Sequence, residues 1–265
     1  MTFNNKSPLR YPGGKTRACK KLDDILITHF TIKNYKILIS PFFGGGSFEF
    51  FIQNTYELDL IVNDKFIPLY NFWKQVKTNK TLLCSMLLNK LNISKEDFLN
   101  YRSSIMDLYD NPIQQAFQYF IINRCSFNGA TLSGGFSEES SKKRYTKSSI
   151  SRIEALDLTK LSIDNMDFID FIQKYIGLEH SLIFLDPPYC LDTNSKLYGK
   201  NGDLHDNFDH HKLFTILDGQ KNWIMTYNDC FYIRELYKKY IIIDLDWKYG
   251  MNKSKKSSEI VILSK

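Results

Sequence analysis

YKILISPFFGGGSFEFFIQNTYELDLIVND, residues 35–64, carries the order of signals that decides the fold. Tyr35–Ser40 is a short β-branched apolar run and reads as a buried strand. Gly44, Gly45 and Gly46 follow at once, then the helix-like segment Ser47–Asn54, then a second apolar run, Leu58–Asn63. Asp64 stands at the end of that run. Glycines between a strand and a helix let the chain turn sharply and let a ligand approach the backbone. An acid at the end of the next strand, about 20 residues on, can accept hydrogen bonds from ribose hydroxyls. A tight turn and a capping acid would explain the glycines alone. Strand, glycines, helix, strand and acid in that order favour a nucleotide-like ligand. The spacing is not G-x-G-x-x-G, so a pyrophosphate on the helix N-terminus is not specifically indicated.

Outward from this unit the pattern repeats. Ser181–Leu185, Asn222–Thr226, Tyr240–Leu245 and Ser258–Leu263 are further short apolar runs. Continuous apolar strands suit a sheet covered on both faces. Helix-like segments lie between or beside them at Thr16–Phe30, Ile67–Lys77, Asp209–Leu217 and Cys230–Lys239. The alternation predicts an α/β fold with a mainly parallel sheet. The last two runs are separated by WKYGMNKSKKS, short enough for a hairpin, so an antiparallel C-terminal edge pair is expected. Residues 66–149 lack the buried-strand signature. They read as helices (Lys80–Leu91, Lys95–Leu108, Pro112–Asn123) followed by a loop rich in Gly and Ser. The expected organisation is therefore a sheet domain, residues 1–65 and 150–265, interrupted by a mostly helical insert at 66–149.

Composition bounds the function. In 265 residues, 43% are hydrophobic and 24% charged, which excludes global disorder. Lys+Arg 35 against Asp+Glu 29 gives a net charge of +6, which permits an anionic partner without demanding one. Twenty Phe, 16 Tyr and 3 Trp supply rings that build cores and also stack on bases. Cys19, Cys84, Cys125, Cys190 and Cys230 form no C-x-x-C, so neither a disulfide framework nor a zinc site is expected. A reducing, cytoplasmic setting fits them. No apolar run has the length of a membrane span, and MTFNNKSPLRYPGGK has no signal-peptide core.

The second chemical signal is Asp186–Tyr189, DPPY, directly after the run SLIFL. Ligands of open α/β sheets sit beyond the carboxyl ends of strands, so DPPY and PFFGGG are expected to face one crevice. Two prolines remove N–H donors while keeping carbonyl acceptors. The turn thus offers the Asp186 carboxylate, the Pro187 carbonyl and the Tyr189 ring. Such a pocket suits the exocyclic amine of an aromatic base. Its lone pair is delocalised into the ring, and two acceptors on its hydrogens would favour a pyramidal nitrogen able to attack. A tyrosine face would hold the base flat. An ordinary strand-ending turn is the plain alternative.

With these residues in order, the chain resembles the Dam-like, D12-class (alpha group) adenine-N6 DNA methyltransferases, over nearly its whole length. PLRYPGGK at 8–15 is similar to the family's N-terminal motif, PFFGGGSF at 41–48 to its cofactor glycine motif, and NDKFIPLYNFW at 63–73 to the segment opening on the ribose-binding acid. NMDF at 165–168 is similar to the segment beside the cofactor adenine, DPPY at 186–189 to the catalytic motif, and NRCSFNG at 123–129 to an element of the target-recognition insert. The resemblance implies a Rossmann-like sheet, S-adenosylmethionine (AdoMet) as cofactor, and double-stranded DNA as partner. It implies transfer of a methyl group to N6 of a flipped adenine within a short palindromic site.

By the same resemblance, Asp186, Pro187, Pro188 and Tyr189 are catalytic. Tyr11, Lys15, Phe43, Gly44, Gly46, Asp64, Asp167, Phe168 and Asp186 are cofactor-binding. Tyr11 takes a place often held by tryptophan, and Lys15 would hold the cofactor end or its carboxylate. Arg124, Asn128, Lys142, Lys143, Arg144 and Lys147 would contact DNA. Relatives read palindromes such as GATC and CATG; TLSGGFS at 131–137 differs from the arginine-bearing form of GATC readers and leans towards CATG. A cognate restriction endonuclease is a conceivable partner, and either monomer or dimer is compatible.

Three features keep plainer readings. His205, His210 and His211 are taken as surface and helix-start residues, since adjacent histidines cannot share one helix face and no metal is expected. Arg152 extends the basic segment of the insert, where phosphate contact outweighs a solvated loop; Lys253, Lys255 and Lys256 are equivocal. Cys190 is read as a buried thiol, and Tyr227-Asn228-Asp229 as a strand end at the crevice. The rival functions are cytosine-N4 or RNA methylation, a catalytically silent DNA-binding protein, and a small-molecule methyltransferase. Asp186 favours adenine, and the insert favours DNA.

Overall fold

A computed structural model describes residues 3–190, 208–245 and 259–264. His205, Lys253, Lys255 and Lys256 lie outside the described residues. Among the described residues, seven strands form one sheet: β1 (Ile37–Ser40), β2 (Asp59–Asn63), β3 (Leu161–Asp164), β4 (Ser181–Leu185), β5 (Trp223–Asn228), β6 (Ile241–Leu245) and β7 (Glu259–Leu263). Their order is β3-β2-β1-β4-β5-β7-β6. β1 pairs in parallel with both β2 and β4. β7 runs antiparallel to β5 on one side and to β6 on the other. The fold is thus the expected α/β class, with β7 inserted before the edge rather than lying on it.

Strand sequences place the two cores. Side chains alternate faces along a strand. Leu38, Leu182 and Phe184 join the apolar cluster of one face, while Ile39, Ile183 and Leu185 join that of the other. The first face is covered by α1 (Cys19–His29), α2 (Ser47–Tyr56) and α3 (Ile67–Thr78). The second is covered by α9 (Phe168–Tyr175), α10 (His210–Leu217) and α11 (Phe231–Leu236). Between β2 and β3 run α4 (Lys80–Leu88), α5 (Lys95–Ser104), α6 (Pro112–Cys125), α7 (Glu138–Arg144) and α8 (Lys147–Glu154).

α6 is buried from Gln115 to Cys125 and anchors this helical region. A helix covered all round needs apolar residues on every side, and its own run, AFQYFII, supplies them. Its Phe120 stacks on Phe72 of α3 with centroids 5.7 Å apart. The apolar cluster of the first face therefore continues from the sheet through α3 into α6 and α8.

The sequence missed four elements. β3 is short and half polar, with only Leu161 buried, so no apolar run announces it. α9 begins on Asp167, whose side chain caps the Ile169 N–H. α7 and α8 replace the expected loop. Their serine-rich sequence has weak helix propensity, but Ser137 caps α7 and a Thr146–Ser149 capping box starts α8. Ile150 and Ile153 then bury the inner face of α8.

Candidate active site

The strand order reverses between β1 and β4, since β2 and β3 extend one way and β5 the other. Loops leaving the carboxyl ends of these two strands diverge there and leave a crevice. PFFGGG follows β1 and DPPY follows β4, so topology places both motifs at that point.

The glycine loop is wound around aromatic rings. Gly44 and Gly46 have φ of 51° and 66°. A Cβ on Gly44 would meet the Tyr11 ring at 2.8 Å, and one on Gly46 would meet the Phe43 ring at 2.6 Å. Both conformation and space thus demand glycine. Tyr11 covers the loop from outside. Phe43 points the other way, into the core against Trp73 at 5.1 Å, so its ring faces protein rather than a ligand; its N–H bonds the Asn63 carbonyl. Trp73 Nε1 donates to the Gly44 carbonyl at 3.0 Å.

Asp64 sits at the end of β2, nearly buried, and accepts the Gly44 N–H on Oδ2 and the Phe66 N–H on Oδ1, both at 2.9 Å. Burial pushes its pKa up to about 6 against the pull of those two N–H groups. A carboxylate has about four acceptor sites, so the acid ties the glycine loop down and keeps capacity for hydroxyl donors. Beside it, Asn63 joins three loops: Nδ2 donates to the Pro41 and Met166 carbonyls, and Oδ1 accepts the Met166 N–H. Asp167 accepts from Lys65 at 2.8 Å. Burial opposes its ionisation, but Lys65 and the Ile169 N–H outweigh that and hold its pKa below the usual range. Phe168 packs with Phe42 and Phe208 at 5.7 and 4.9 Å. Sequence reasoning missed Phe42, Asn63 and Phe208. A polar residue ending an apolar strand was the available signal for Asn63.

At the DPPY turn, Lys15 is the hub. It is 4% exposed. Its ammonium lies 2.9 Å from Asp186 Oδ1, 2.8 Å from Tyr189 Oη and 3.0 Å from the Gly13 carbonyl. An ammonium has three donors, and all three are engaged. Two of the three fall on the DPPY turn and the third on the Gly13 carbonyl, so Lys15 joins the N-terminal segment to that turn. Thr226 Oγ1 also donates to Asp186 Oδ1, at 2.7 Å. Among the described residues, these contacts all fall on Oδ1. Tyr189 Oη donates in turn to Glu259 Oε1 at 2.7 Å. Asn228 Nδ2 bonds the Cys190 carbonyl at 2.5 Å, tying the turn to the end of β5. Cys190 itself is half-buried rather than buried. His210 is more than a helix-start residue: its Nδ1 bonds Tyr227 Oη, and the Tyr227 ring lies 6.2 Å from that of Tyr189.

Beneath Lys15 and Asp186 lies Glu49 of α2, 3% exposed, accepting from Ser40 Oγ at 2.6 Å. Burial raises its pKa to about 8, and the nearby Asp186 adds to the rise while Ser40 and Lys15 oppose it. An acid raised in the fold binds its proton more tightly folded than unfolded. Its stabilising share is complete below about pH 4.5 and is lost as pH rises through about 8. Asp64 acts in the same sense between about 4 and 6. Glu49→Gln is therefore expected to gain stability over the parent progressively as pH rises from 5 to 8, by on the order of a few kcal/mol at the upper end, and to melt correspondingly higher. Melting curves whose offset stays constant with pH would show that Glu49 is not a buried neutral acid.

The expected DNA contacts divide. Arg124 is buried; Nε and Nη2 donate to the Arg144 carbonyl and Nη1 to the Pro8 carbonyl. Burial lowers its pKa to about 10, with Arg10, Arg152 and Arg144 adding to the fall. Asn128, Lys142, Lys143, Arg144 and Lys147 are exposed. Lys142 and Lys143 pair with Glu138 and Glu139 one turn earlier on α7, at 2.7 and 3.0 Å. Exposed pairs of this kind are weak and exchange readily for other anions. Phe127, 63% exposed beside Asn128, went unread in the sequence. No group of three or more His, Cys, Asp or Glu side chains could hold a metal among the described residues. None of their helices is long and apolar enough to cross a membrane.

The sheet order and the two loops meeting at its switch point define a Rossmann-like methyltransferase scaffold. The chain belongs to the D12 class N6 adenine-specific DNA methyltransferase family, whose sequence profile matches residues 11–251. It is 23% identical over 252 residues to the type II methyltransferase M.CviBI of Paramecium bursaria Chlorella virus NC1A, covering 92% of this chain and 91% of that protein. It is also 23% identical over 203 residues to the type II methyltransferase M.MjaIII of Methanocaldococcus jannaschii, covering 68% of each. The chemistry is therefore adenine-N6 methylation of DNA, which sets aside the cytosine, RNA and small-molecule readings.

Proposed function

We propose that this enzyme uses AdoMet to methylate N6 of an adenine turned out of a short palindromic DNA site into the DPPY pocket. The observation that carries the reading is the division of labour at Asp186. Lys15 and Thr226 hold Oδ1, and Oδ2 and the Pro187 carbonyl serve as the two acceptors for the amine. Bound AdoMet supplies a methyl group already activated on a sulfonium. The protein contributes position and electrostatics. Lys15 and Glu259 fix the Tyr189 hydroxyl from opposite sides, which sets the ring as a stacking face for the base. Methyl transfer would go straight to N6, the carbon–sulfur bond breaking as the carbon–nitrogen bond forms, with one N6 proton leaving towards the Asp186 carboxylate, so the protein would form no covalent bond to the methyl group.

The residues present fit the cofactor. A nearly buried acid stands at the end of β2 for ribose hydroxyls, Phe168 with Phe42 and Phe208 supplies an apolar aromatic wall for adenine, and Tyr11 closes the glycine loop. On the insert, residues 66–149, we assign Asn128, Lys142, Lys143, Arg144 and Lys147 to DNA. Arg124 takes a supporting role, holding the end of α7 with Arg10, Arg144 and Arg152 around it. That gathering of guanidinium groups is suited to phosphate. The CATG preference and a companion endonuclease remain part of this proposal.

The test is incubation with tritiated AdoMet and unmethylated genomic DNA, then nucleoside analysis and methylation-aware sequencing. Label in N6-methyladenine within one short palindrome is the expected result. AdoMet and DNA binding without label would mark a silent binder on this scaffold and overturn the reading.

A further inference from the structure

Asn123 lies on α6, in the region given above to DNA, yet apart from a long 3.5 Å bond to Thr131 Oγ1 its side chain turns to the N-terminal segment. Its Oδ1 accepts the Arg10 N–H at 2.9 Å and its Nδ2 donates to the Arg10 carbonyl at 2.6 Å. One amide thus satisfies both backbone groups of one residue, a pairing otherwise supplied by a neighbouring strand. The grip has a second jaw. Gly129, at φ 73°, leaves no room for a side chain: a Cβ there would meet Arg10 Cβ at 2.6 Å and the Arg10 carbonyl oxygen at 2.7 Å. Arg10 Nη1 adds bonds to the Ser126 carbonyl and Ser140 Oγ, at 3.3 and 3.0 Å.

What Arg10 is attached to gives the clamp its meaning. The next residue, Tyr11, covers Gly44 and Gly45. Its carbonyl accepts the Gly14 N–H at 3.0 Å and closes the turn that delivers Lys15. Lys15 then holds Asp186 and Tyr189. Segment 8–15 is therefore a strap, fixed at Arg10 by the helical region and bearing on the glycine loop and the DPPY turn.

We infer that Asn123 is a positioning residue for the cofactor side of the active site, acting through the backbone of Arg10 on Tyr11 and Lys15. This rests on the AdoMet reading above and adds to it. Asn123 is fully buried, so its effect is exerted through the segment it holds. Losing its two bonds frees Arg10 to shift, and misplacement of about 1 Å near reacting groups can cost on the order of 100-fold in rate.

The experiment uses the full chain with Asn123→Leu, which keeps size and removes both bonds. Gln115→Leu is the control. Gln115 is also buried on α6 and loses bonds to Asn71 and to the Ile105 carbonyl, far from the strap. AdoMet affinity is measured by titration calorimetry, DNA affinity by anisotropy on sheared unmethylated DNA, and turnover by tritium transfer. For Asn123→Leu we expect AdoMet Kd to rise and kcat to fall, each by about tenfold or more, with DNA Kd within about twofold. Gln115→Leu should lose melting temperature while keeping AdoMet Kd. Equal AdoMet affinity in folded Asn123→Leu and the parent overturns the inference, as does an equal loss in Gln115→Leu. Where Asn123→Leu fails to fold, Asn123→Asp carries the test, since it keeps the acceptor for the Arg10 N–H and loses the donor. If the parent chain binds no AdoMet, the cofactor reading fails first and this inference with it.

Discussion

Asp186→Ala is expected to lower methyl transfer by about 1,000-fold or more, while DNA affinity stays within about threefold. On the proposed reading the carboxylate accepts from the attacking amine, which loses one hydrogen on methylation, and the Asp186 side chain keeps 24% of its surface exposed. Removing it has two consequences. On the proposed reading the amine loses its stronger acceptor, and its lone pair would stay delocalised in the ring. Lys15 loses the anion at 2.9 Å that balances its buried charge, and it will turn towards other acceptors and carry Tyr189 with it. A factor of 1,000 corresponds to about 4 kcal/mol of transition-state stabilisation, which fits one charge-assisted acceptor in a partly dry site. Asp186→Asn should fall between, because the amide oxygen still accepts but without charge. Single-turnover transfer of tritium under saturating AdoMet and DNA reads the chemical step. A loss below tenfold in Asp186→Ala would move the amine's acceptor elsewhere.

Trp73→Ala is expected to be the most damaging core substitution near the site. The indole is fully buried and touches the rings of Phe43, Phe50 and Phe72 at 5.1, 5.6 and 5.1 Å. Emptying such a site costs about 3–5 kcal/mol, a large share of the roughly 5–15 kcal/mol that holds a domain folded. The melting temperature should fall by roughly 10 °C or more. The variant should also lose AdoMet affinity beyond what its stability explains, because the Gly44 carbonyl loses its donor. Trp73→Phe separates the two effects: it restores most of the packing and lacks the N–H. Denaturation curves for both variants, with AdoMet titrations well below their midpoints, decide this. A Trp73→Ala protein that melts within a few degrees of the parent would show that this cluster does not hold the glycine loop.

The motifs were legible because their chemistry needs particular residues at short spacing. PFFGGG and DPPY each sit within one turn, and the alternation of strands and helices is enough to bring them together at a switch point. The pairing partners were not legible. Lys15 and Asp186 are far apart in sequence, and only the fold shows that they pair. Phe43 stands inside the glycine motif, yet its ring belongs to the core, where it packs against Phe50 and Trp73. Arg124 is assigned to DNA through the likeness of NRCSFNG to the recognition insert; in the fold its guanidinium bonds the Arg144 carbonyl at the end of α7 and the Pro8 carbonyl of the N-terminal segment. β3 and α8 were missed because their stability comes from neighbours and caps rather than from propensity.

The position of Glu259 bears on how the enzyme is made. This first residue of β7 accepts the hydroxyl of Tyr189, 70 residues earlier in the chain, and β7 must slot between β5 and β6 to bring it there. During synthesis, the glycine loop, the helical region and the DPPY turn all leave the ribosome before that strand does. Until residues 259–263 emerge, Tyr189 lacks its second tether and the sheet keeps an open gap beside β5. A nascent chain can thus form the glycine loop and the helical region early, yet the Tyr189 hydroxyl gains its tether to Glu259 only when β7 arrives.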